Sequence, residues 1–395
     1  MNIIGFSGTL DPITNGHMWV IGEARAMADK VLVFLSENTL KTPQFPAEER
    51  RRIILESTAE RGWDNIEVMI VRGDYTARTA KRHGVDYLIR GIRNTSDFDY
   101  ENLIQQTNVD VLHGAKTVFV MPPRDLGSVS SSFVRALQGP VGWHWHMKKF
   151  VPPPAYRAWI HDWLRKEWMQ LWQYNQLGPE EKQVCQACLD WLLGPQSYGA
   201  PERAYHNCDH LVHGLTELRT WAANNPNHAD QAACLKKAFW FHDAVYHQGA
   251  DAACSDEEAS AQAWQRWLAQ GLPVLQDEAL SVAQLIRVTD HFQEQQILHP
   301  AKDVMLSADL SILGQDEDIY NQYAQAIAAE YAHVAPSLYR ERRVGALRHL
   351  LQRNAAGALY GDAFFASQYQ AMAQQNLQRE IAQLSAALKL QHSGA

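Results

Sequence analysis

The sequence predicts two domains of different class: an α/β domain built on a doubly wound parallel sheet, followed by an all-α domain. Three observations carry this. Short apolar runs alternate with helical patterns through the first part of the chain. Beyond about Ala158 the strand signal stops and long helical patterns take over. At 395 residues the chain is too long for one ordinary domain and suits two.

In order, "NIIGFS", "KVLVFLS", "IEVMIV", "DYLIRG" and "KTVFVMP" read as buried strands. Between them stand helix-like stretches such as "GHMWVIGEARAMA" and "AEERRRIILESTAER". Strict alternation of strand and helix implies a parallel sheet covered on both faces. "FVPPPAY", residues 150 to 156, interrupts the pattern. The boundary is placed near residue 163, giving domains 1–162 and 163–395. "AYRAWIHDWLRKEWMQLW" and "ACLKKAFWFHDAVYH" then read as helices of the second domain, and "QYQAMAQQNLQREIAQLSAALKL" as a terminal amphipathic helix. No internal repeat is visible.

A net charge of −8 argues against a general nucleic-acid coat, which needs a basic face. No signal peptide and no apolar window of membrane-spanning length is visible, so a cytoplasmic protein without a membrane partner is expected. Cys185 and Cys188 form a lone CxxC inside an amphipathic helical pattern and read as helix packing rather than a zinc site.

"FSGTLDPITNGH", residues 6 to 17, follows the first strand and leads to a helix start near Gly16. A loop at the carboxyl end of a parallel strand, opening a helix, is where phosphate groups bind. GTLDP followed by TNGH resembles the signature of the nucleotidylyltransferase superfamily, and is most similar to bacterial phosphopantetheine adenylyltransferase. "LKTPQFPAEER", "LIRGIRNTSDFDYE", "VFVMPP" and "SVSSSFVR" follow in that family's order and spacing, so the resemblance covers roughly residues 1 to 160.

The resemblance implies a Rossmann-like fold and attack of an acceptor phosphate on the α-phosphorus of ATP, with pyrophosphate leaving and Mg²⁺ bridging the triphosphate. Positioning and charge stabilisation carry such a reaction. By the same resemblance His17 and Lys41 are catalytic. Thr9, Lys41, Arg90 and Asn108 bind the acceptor, most simply 4′-phosphopantetheine giving dephospho-CoA. Gly8, His17, Gly91, Arg93, Glu101, Ser130, Ser131 and Ser132 bind ATP, with Ser131 as hydroxyl donor. A homo-oligomer, a hexamer, is implied as well. Arg50, Arg51 and Arg52 read instead as a solvated helix face, and Asp97 and Asp99 as surface carboxylates.

One departure stands out. "VRGDYTARTAKRHG", residues 71 to 84, is polar where the family carries an apolar segment, and Thr107 is also polar. A more polar phosphomonoester is therefore an alternative acceptor. Cytidylyl or nicotinate-nucleotide adenylyl transfer is a third reading, against which "DFDYE" and "SSS" argue.

In the second domain, His206, His210 and His213 stand at i, i+4 and i+7, which would share one helical face. His242 and Asp243 follow, then Asp309 in "SADLSIL". One histidine, a His-Asp pair and a distant aspartate resemble the ligand set of HD-superfamily metal-dependent phosphohydrolases. That implies an all-α HD-type domain in which His210, His242, Asp243 and Asp309 hold a divalent metal. Mixed imidazole and carboxylate ligands suit Mg²⁺, Mn²⁺, Fe²⁺ or Zn²⁺. "YHNxxH" is similar to cyclic-nucleotide phosphodiesterases and to a small class of HD phosphohydrolases. His206 is then the general acid, and the substrate a phosphorylated metabolite or nucleotide. His291 either backs a ligand or holds a second metal, and Glu257 is a weaker match because Asp256 replaces an Asn. His144, His146, His213 and His247 read as surface or packing residues, and Asp209 as a surface carboxylate. The alternative to catalysis here is a nucleotide-binding or regulatory module.

Overall fold

The computed structural model describes residues 2–37, 42–111, 113–247, 254–291, 297–355 and 359–393. The chain divides into two compact units, Met1–Trp159 and Ile160–Ala395.

The first unit holds a five-stranded sheet: β1 (Ile3–Gly8), β2 (Lys30–Ser36), β3 (Ile66–Val71), β4 (Tyr87–Gly91) and β5 (Lys116–Val120). All pairs are parallel, in the order β3-β2-β1-β4-β5. This is the Rossmann-like arrangement expected of a nucleotidyltransferase. Five residues in a row, Val31 to Leu35, are buried in β2, because helices cover both faces. At Gly5 a Cβ would lie 2.8 Å from Leu88 of β4 and 2.9 Å from Phe34 of β2, so glycine lets the neighbouring side chains close over β1.

The helices are α1 (Asn15–Met27), α2 (Ala47–Ala59), α3 (Thr76–Arg82), α4 (Thr95–Gln106), α5 (Ser131–Ala136) and α6 (Trp143–Lys148). The chain passes into the second unit through α7 (Pro153–Leu171). Strand order reverses between β1 and β4, and such a switch point opens a crevice at the carboxyl ends of the strands. Phe6 pairs with Ile89, so the ends Gly8 and Gly91 come out level beside that crevice.

The second unit contains no strand among its described residues. Its helices are α8 (Pro179–Leu192), α9 (Cys208–Asn224), α10 (Ala229–Phe241), α11 (Asp256–Ala269), α12 (Gln276–Arg287), α13 (Lys302–Asp309), α14 (Glu317–Glu330), α15 (Pro336–Ala355) and α16 (Ala363–Ser393). Trp168, Trp172, Trp240 and Trp264 form a chain of ring contacts in its core. Cys185 and Cys188 are buried on α8, where the Trp168 indole N–H points at the Cys185 carbonyl (3.2 Å) and sulfur (3.0 Å). Among the described residues, no helix is long and apolar enough to cross a membrane.

Candidate active sites

In the first unit a crevice of about 230 Å³ opens beside Gly8 and Gly91. Gly8, Thr9, His17, Arg90, Gly91, Arg93, Glu101, Ser130 and Ser131 line it. A second cavity of about 850 Å³ shares Thr9, Ser130 and Ser131 with the first and adds Ser132, Arg50, Arg72 and Arg135.

The sequence TNGH places His17 through a helix cap. Thr14 is the N-cap of α1 and His17 its third residue, and the two form a reciprocal capping box. The Thr14 backbone N–H donates to His17 Nδ1 at 3.0 Å. Nδ1 is therefore the unprotonated nitrogen, and Nε2 carries the hydrogen. Burial, with the nearby Arg93 and Arg90 charges, lowers the His17 pKa to about 4. At neutral pH His17 is thus an uncharged donor. It cannot act as an acid or base there without cost, and adenylyl transfer to an ionised phosphate oxygen asks for neither.

The arginines are held by their neighbours. Arg90 Nη1 donates to the Ser7 carbonyl, and its Nε lies 3.3 Å from Glu101. Arg93 grips Asp97 through two nitrogens, at 2.7 and 3.2 Å. The serine hydroxyls are also engaged. Ser130 accepts from the Phe133 N–H at 3.1 Å, Ser131 donates to the Pro12 carbonyl at 2.8 Å, and Ser132 accepts from Arg135 at 3.0 Å.

One expectation is corrected here. Arg50 is not part of a solvated helix face: it is 3% exposed, lines the larger cavity, and donates to the Phe45 and Thr9 carbonyls. The polar run 71 to 84 has a local cause. Asp74 accepts from the Tyr75 N–H (2.7 Å) and the Thr79 hydroxyl (3.4 Å) and pairs with Arg78 and Arg82 around α3. Of that run Arg72 lines the larger cavity. Asn108 lines neither cavity; it sits in a π-helical turn (Thr107–Val111), and its carbonyl accepts from the Gly114 N–H at 2.7 Å. Lys41 lies outside the described residues.

Residues 6–137 match the cytidylyltransferase-like family. A phosphopantetheine adenylyltransferase of Chromobacterium violaceum is 35% identical over 152 residues, which are 38% of this chain and 92% of that protein. The enzyme of that name from Neisseria meningitidis serogroup C is 32% identical over 151 residues, 38% of this chain and 88% of its own. One from Lacticaseibacillus paracasei is 35% identical over 153 residues, 39% and 89%. Through its N-terminal part the chain belongs to the phosphopantetheine adenylyltransferase family. The matched part of this chain spans these three enzymes nearly end to end, and the second unit lies beyond the residues 6–137 that match the family.

The second unit has its own polar centre. His210, His242, Asp243 and Asp309 present one ligand atom each within 4.8 Å of one another, a group able to hold a metal ion. The two Nε2 atoms lie 3.0 Å apart. Asp243 Oδ2 is 3.4 and 3.0 Å from them, and Asp309 Oδ1 3.4 and 3.3 Å. Both histidines are buried, while the carboxylates retain some access to solvent. The donor set fits a divalent ion. His242 Nδ1 donates to the Phe239 carbonyl (2.8 Å), which leaves the Nε2 lone pair for a metal. His291 Nε2 donates to Asp309 Oδ2 at 2.7 Å and leaves Oδ1 facing the histidines, so His291 backs a ligand. Between these four groups alone burial opposes charge but mutual attraction wins: His242 is pushed well above the usual imidazole range and Asp243 and Asp309 well below that of carboxylates, so a cation entering the cluster would displace the proton from His242 Nε2.

Local sequence explains the placement. Asn207 caps α9, accepting from the Asp209 N–H at 2.8 Å, so His206 precedes the helix. His206, His210 and His213 therefore do not share a helical face. His213 instead lies buried against the Ser311 hydroxyl at 2.8 Å. His247 pairs with Asp256, and Asp209 is half-buried.

Two residues escaped the sequence reading. Glu330, at the end of α14, accepts from the Tyr205 and His206 N–H groups (2.7 and 2.8 Å) and from His206 Nδ1 (2.7 Å). Burial pushes its carboxyl up, but the bonds from His206 and the two amides outweigh this and hold it below the usual range. Arg203 donates to the His206 (3.2 Å), Asp243 (2.7 Å) and Ala244 (3.2 Å) carbonyls and so ties the His206 segment to the His-Asp turn. Arg203 stands in "YGAPERAYHN", three residues before His206, but Glu330 lies 124 residues from it and has no local signal.

Proposed function

We propose that the first unit transfers AMP from ATP to 4′-phosphopantetheine, giving dephospho-CoA and pyrophosphate, with Mg²⁺ entering alongside ATP. The neutral, capped His17 at the switch-point crevice carries this reading, together with the name its relatives bear. The acceptor phosphate oxygen is already ionised, so no general base is needed. His17 Nε2–H donates to the phosphate oxygen on which charge builds as pyrophosphate leaves. Arg93 stabilises that charge, and Thr9, Lys41 and Arg90 hold the acceptor. Removing one such donor costs about 10²–10³ in kcat. With ATP, Mg²⁺ and 4′-phosphopantetheine, His17→Ala is expected to lower kcat for pyrophosphate release at least 100-fold while the protein stays folded. Absence of release by the wild-type protein with this acceptor would refute the reading.

The second unit we read as an HD-type metal-dependent phosphohydrolase for a phosphorylated metabolite or nucleotide. His210, His242, Asp243 and Asp309 would hold the ion, which when bound supplies Lewis-acid activation of water and of the phosphoryl group. His206 then protonates the leaving oxygen, and Glu330 anchors its Nδ1 so that Nε2 is the nitrogen that gives the proton. Mn²⁺-dependent turnover of p-nitrophenyl phosphate or its bis-ester is expected, and His242→Ala should abolish it. No turnover with Mg²⁺, Mn²⁺, Fe²⁺ or Zn²⁺ on either probe or on cyclic nucleotides would leave a binding module.

A further inference from the structure

We infer that Arg50 and Arg135 are positioning residues that hold the loop between β1 and α1 in its working shape; the inference rests on the adenylyl-transfer reading of the first unit.

The carbonyls along this loop are claimed one after another by side chains from outside it. Arg90 takes the Ser7 carbonyl, Arg50 that of Thr9, Arg135 that of Asp11, and Ser131 that of Pro12. The loop reciprocates with the Asp11 carboxylate, which accepts from the Gln44 N–H (2.7 Å) and the Phe45 N–H (3.3 Å). Leu10 is a buried leucine with φ of +48°, a left-handed conformation that a branched apolar residue adopts only when its surroundings impose it.

The placing of the charges is costly for packing alone. Arg50 is almost fully buried, and its described donations go to backbone carbonyls, at Phe45 (3.0 Å) and Thr9. The Asp11 and Glu37 carboxylates offset part of the lost solvation of this guanidinium, while its hydrogen bonds go to the two carbonyls. What it gains is direction. In a trans peptide the C=O and N–H point opposite ways. Drawing the Thr9 and Pro12 carbonyls toward Arg50 and Ser131 turns the Leu10 and Ile13 N–H groups the other way. Arg135 takes the Asp11 carbonyl between these two peptides, where Pro12 has no N–H to turn. Thr9 lies at the head of this loop and His17 at its exit, so both phosphate-facing groups depend on its shape.

The test uses Arg135→Ala and Arg135→Lys in the full-length protein, with Arg50→Lys as a second site. Arg135 is half-buried, and its replacement leaves the sheet intact. Two readouts are followed: hydrogen exchange in peptides spanning residues 8–17, and kcat and KM for ATP in pyrophosphate release. For Arg135→Ala, exchange in that segment alone should rise at least tenfold. The kcat should fall at least tenfold with KM for ATP within threefold, and methylguanidinium should restore part of it. Arg135→Lys, with one donor in place of a fork, should recover little. Unchanged exchange would overturn the inference. So would a rise in KM with kcat intact, the mark of a direct phosphate ligand. If the wild-type protein releases no pyrophosphate, the adenylyl-transfer reading falls, and the exchange experiment still decides whether the arginines shape the loop.

Discussion

His17 shows how one side chain acquires a role from its cap. A histidine as third residue of a helix is unremarkable until Thr14 gives its N–H to Nδ1. From then on the proton sits on Nε2, and burial beside two arginines keeps the ring neutral down to about pH 4. The depressed pKa means that the neutral form is favoured on folding, so this contribution is present above pH 6.5 and is lost as pH falls toward 4. An NMR titration of ring-labelled histidine is expected to show the His17 signal, assigned with His17→Asn, unmoved from pH 8 to 6 and shifting near pH 4. A midpoint near 6.5 would contradict the half-buried, arginine-flanked setting. Residue types told which groups could do chemistry; they did not tell which were buried. Arg50 looked solvated because two further arginines follow it, yet helical rotation turns it inward while Arg51 and Arg52 stay exposed.

At the scale of elements, the candidate metal cluster depends on how closely α9 and α10 approach. Gly214 lies one turn beyond His210, and a Cβ there would fall 1.9 Å from the Phe239 ring. The Phe239 carbonyl in turn orients His242. Gly214→Ala is therefore expected to force the helices apart. Overpacking of this kind costs about 1–3 kcal/mol, and bound metal measured by elemental analysis should drop well below one ion per chain. Full metal occupancy in a folded Gly214→Ala protein would show that the approach is not what assembles the cluster. Neither the glycine nor Glu330 announced itself in the sequence, because each acts on a partner 25 or more residues away. In the α3 segment the structure adds a local partner set that the sequence does not display: Thr79 and Arg82 gather around Asp74.

For the whole molecule, each candidate site draws its residues from one unit. The crevice runs from Phe6 to Ser131, and the cluster with its supports from Tyr198 to Glu330. The two chemistries should therefore be separable by mutation. His242→Ala is expected to leave pyrophosphate release within twofold of wild type, and His17→Ala to leave metal-dependent phosphoesterase activity equally untouched. A reciprocal loss above tenfold would reveal coupling between the sites. The sequence by itself determined the α/β-then-α order, since strand and helix periodicities are local properties of the chain. It also determined the membership of the first part in its family, because GTLDP and TNGH lead from β1 into α1 and SSS opens α5 after β5, in the order that family keeps. The tertiary structure alone decided the working state of those residues. The cap that sets the His17 tautomer is local, but the inward turn of Arg50 onto the Thr9 carbonyl and the grip of Glu330 on His206 join atoms 41 and 124 residues apart, and no periodicity records which of them will meet.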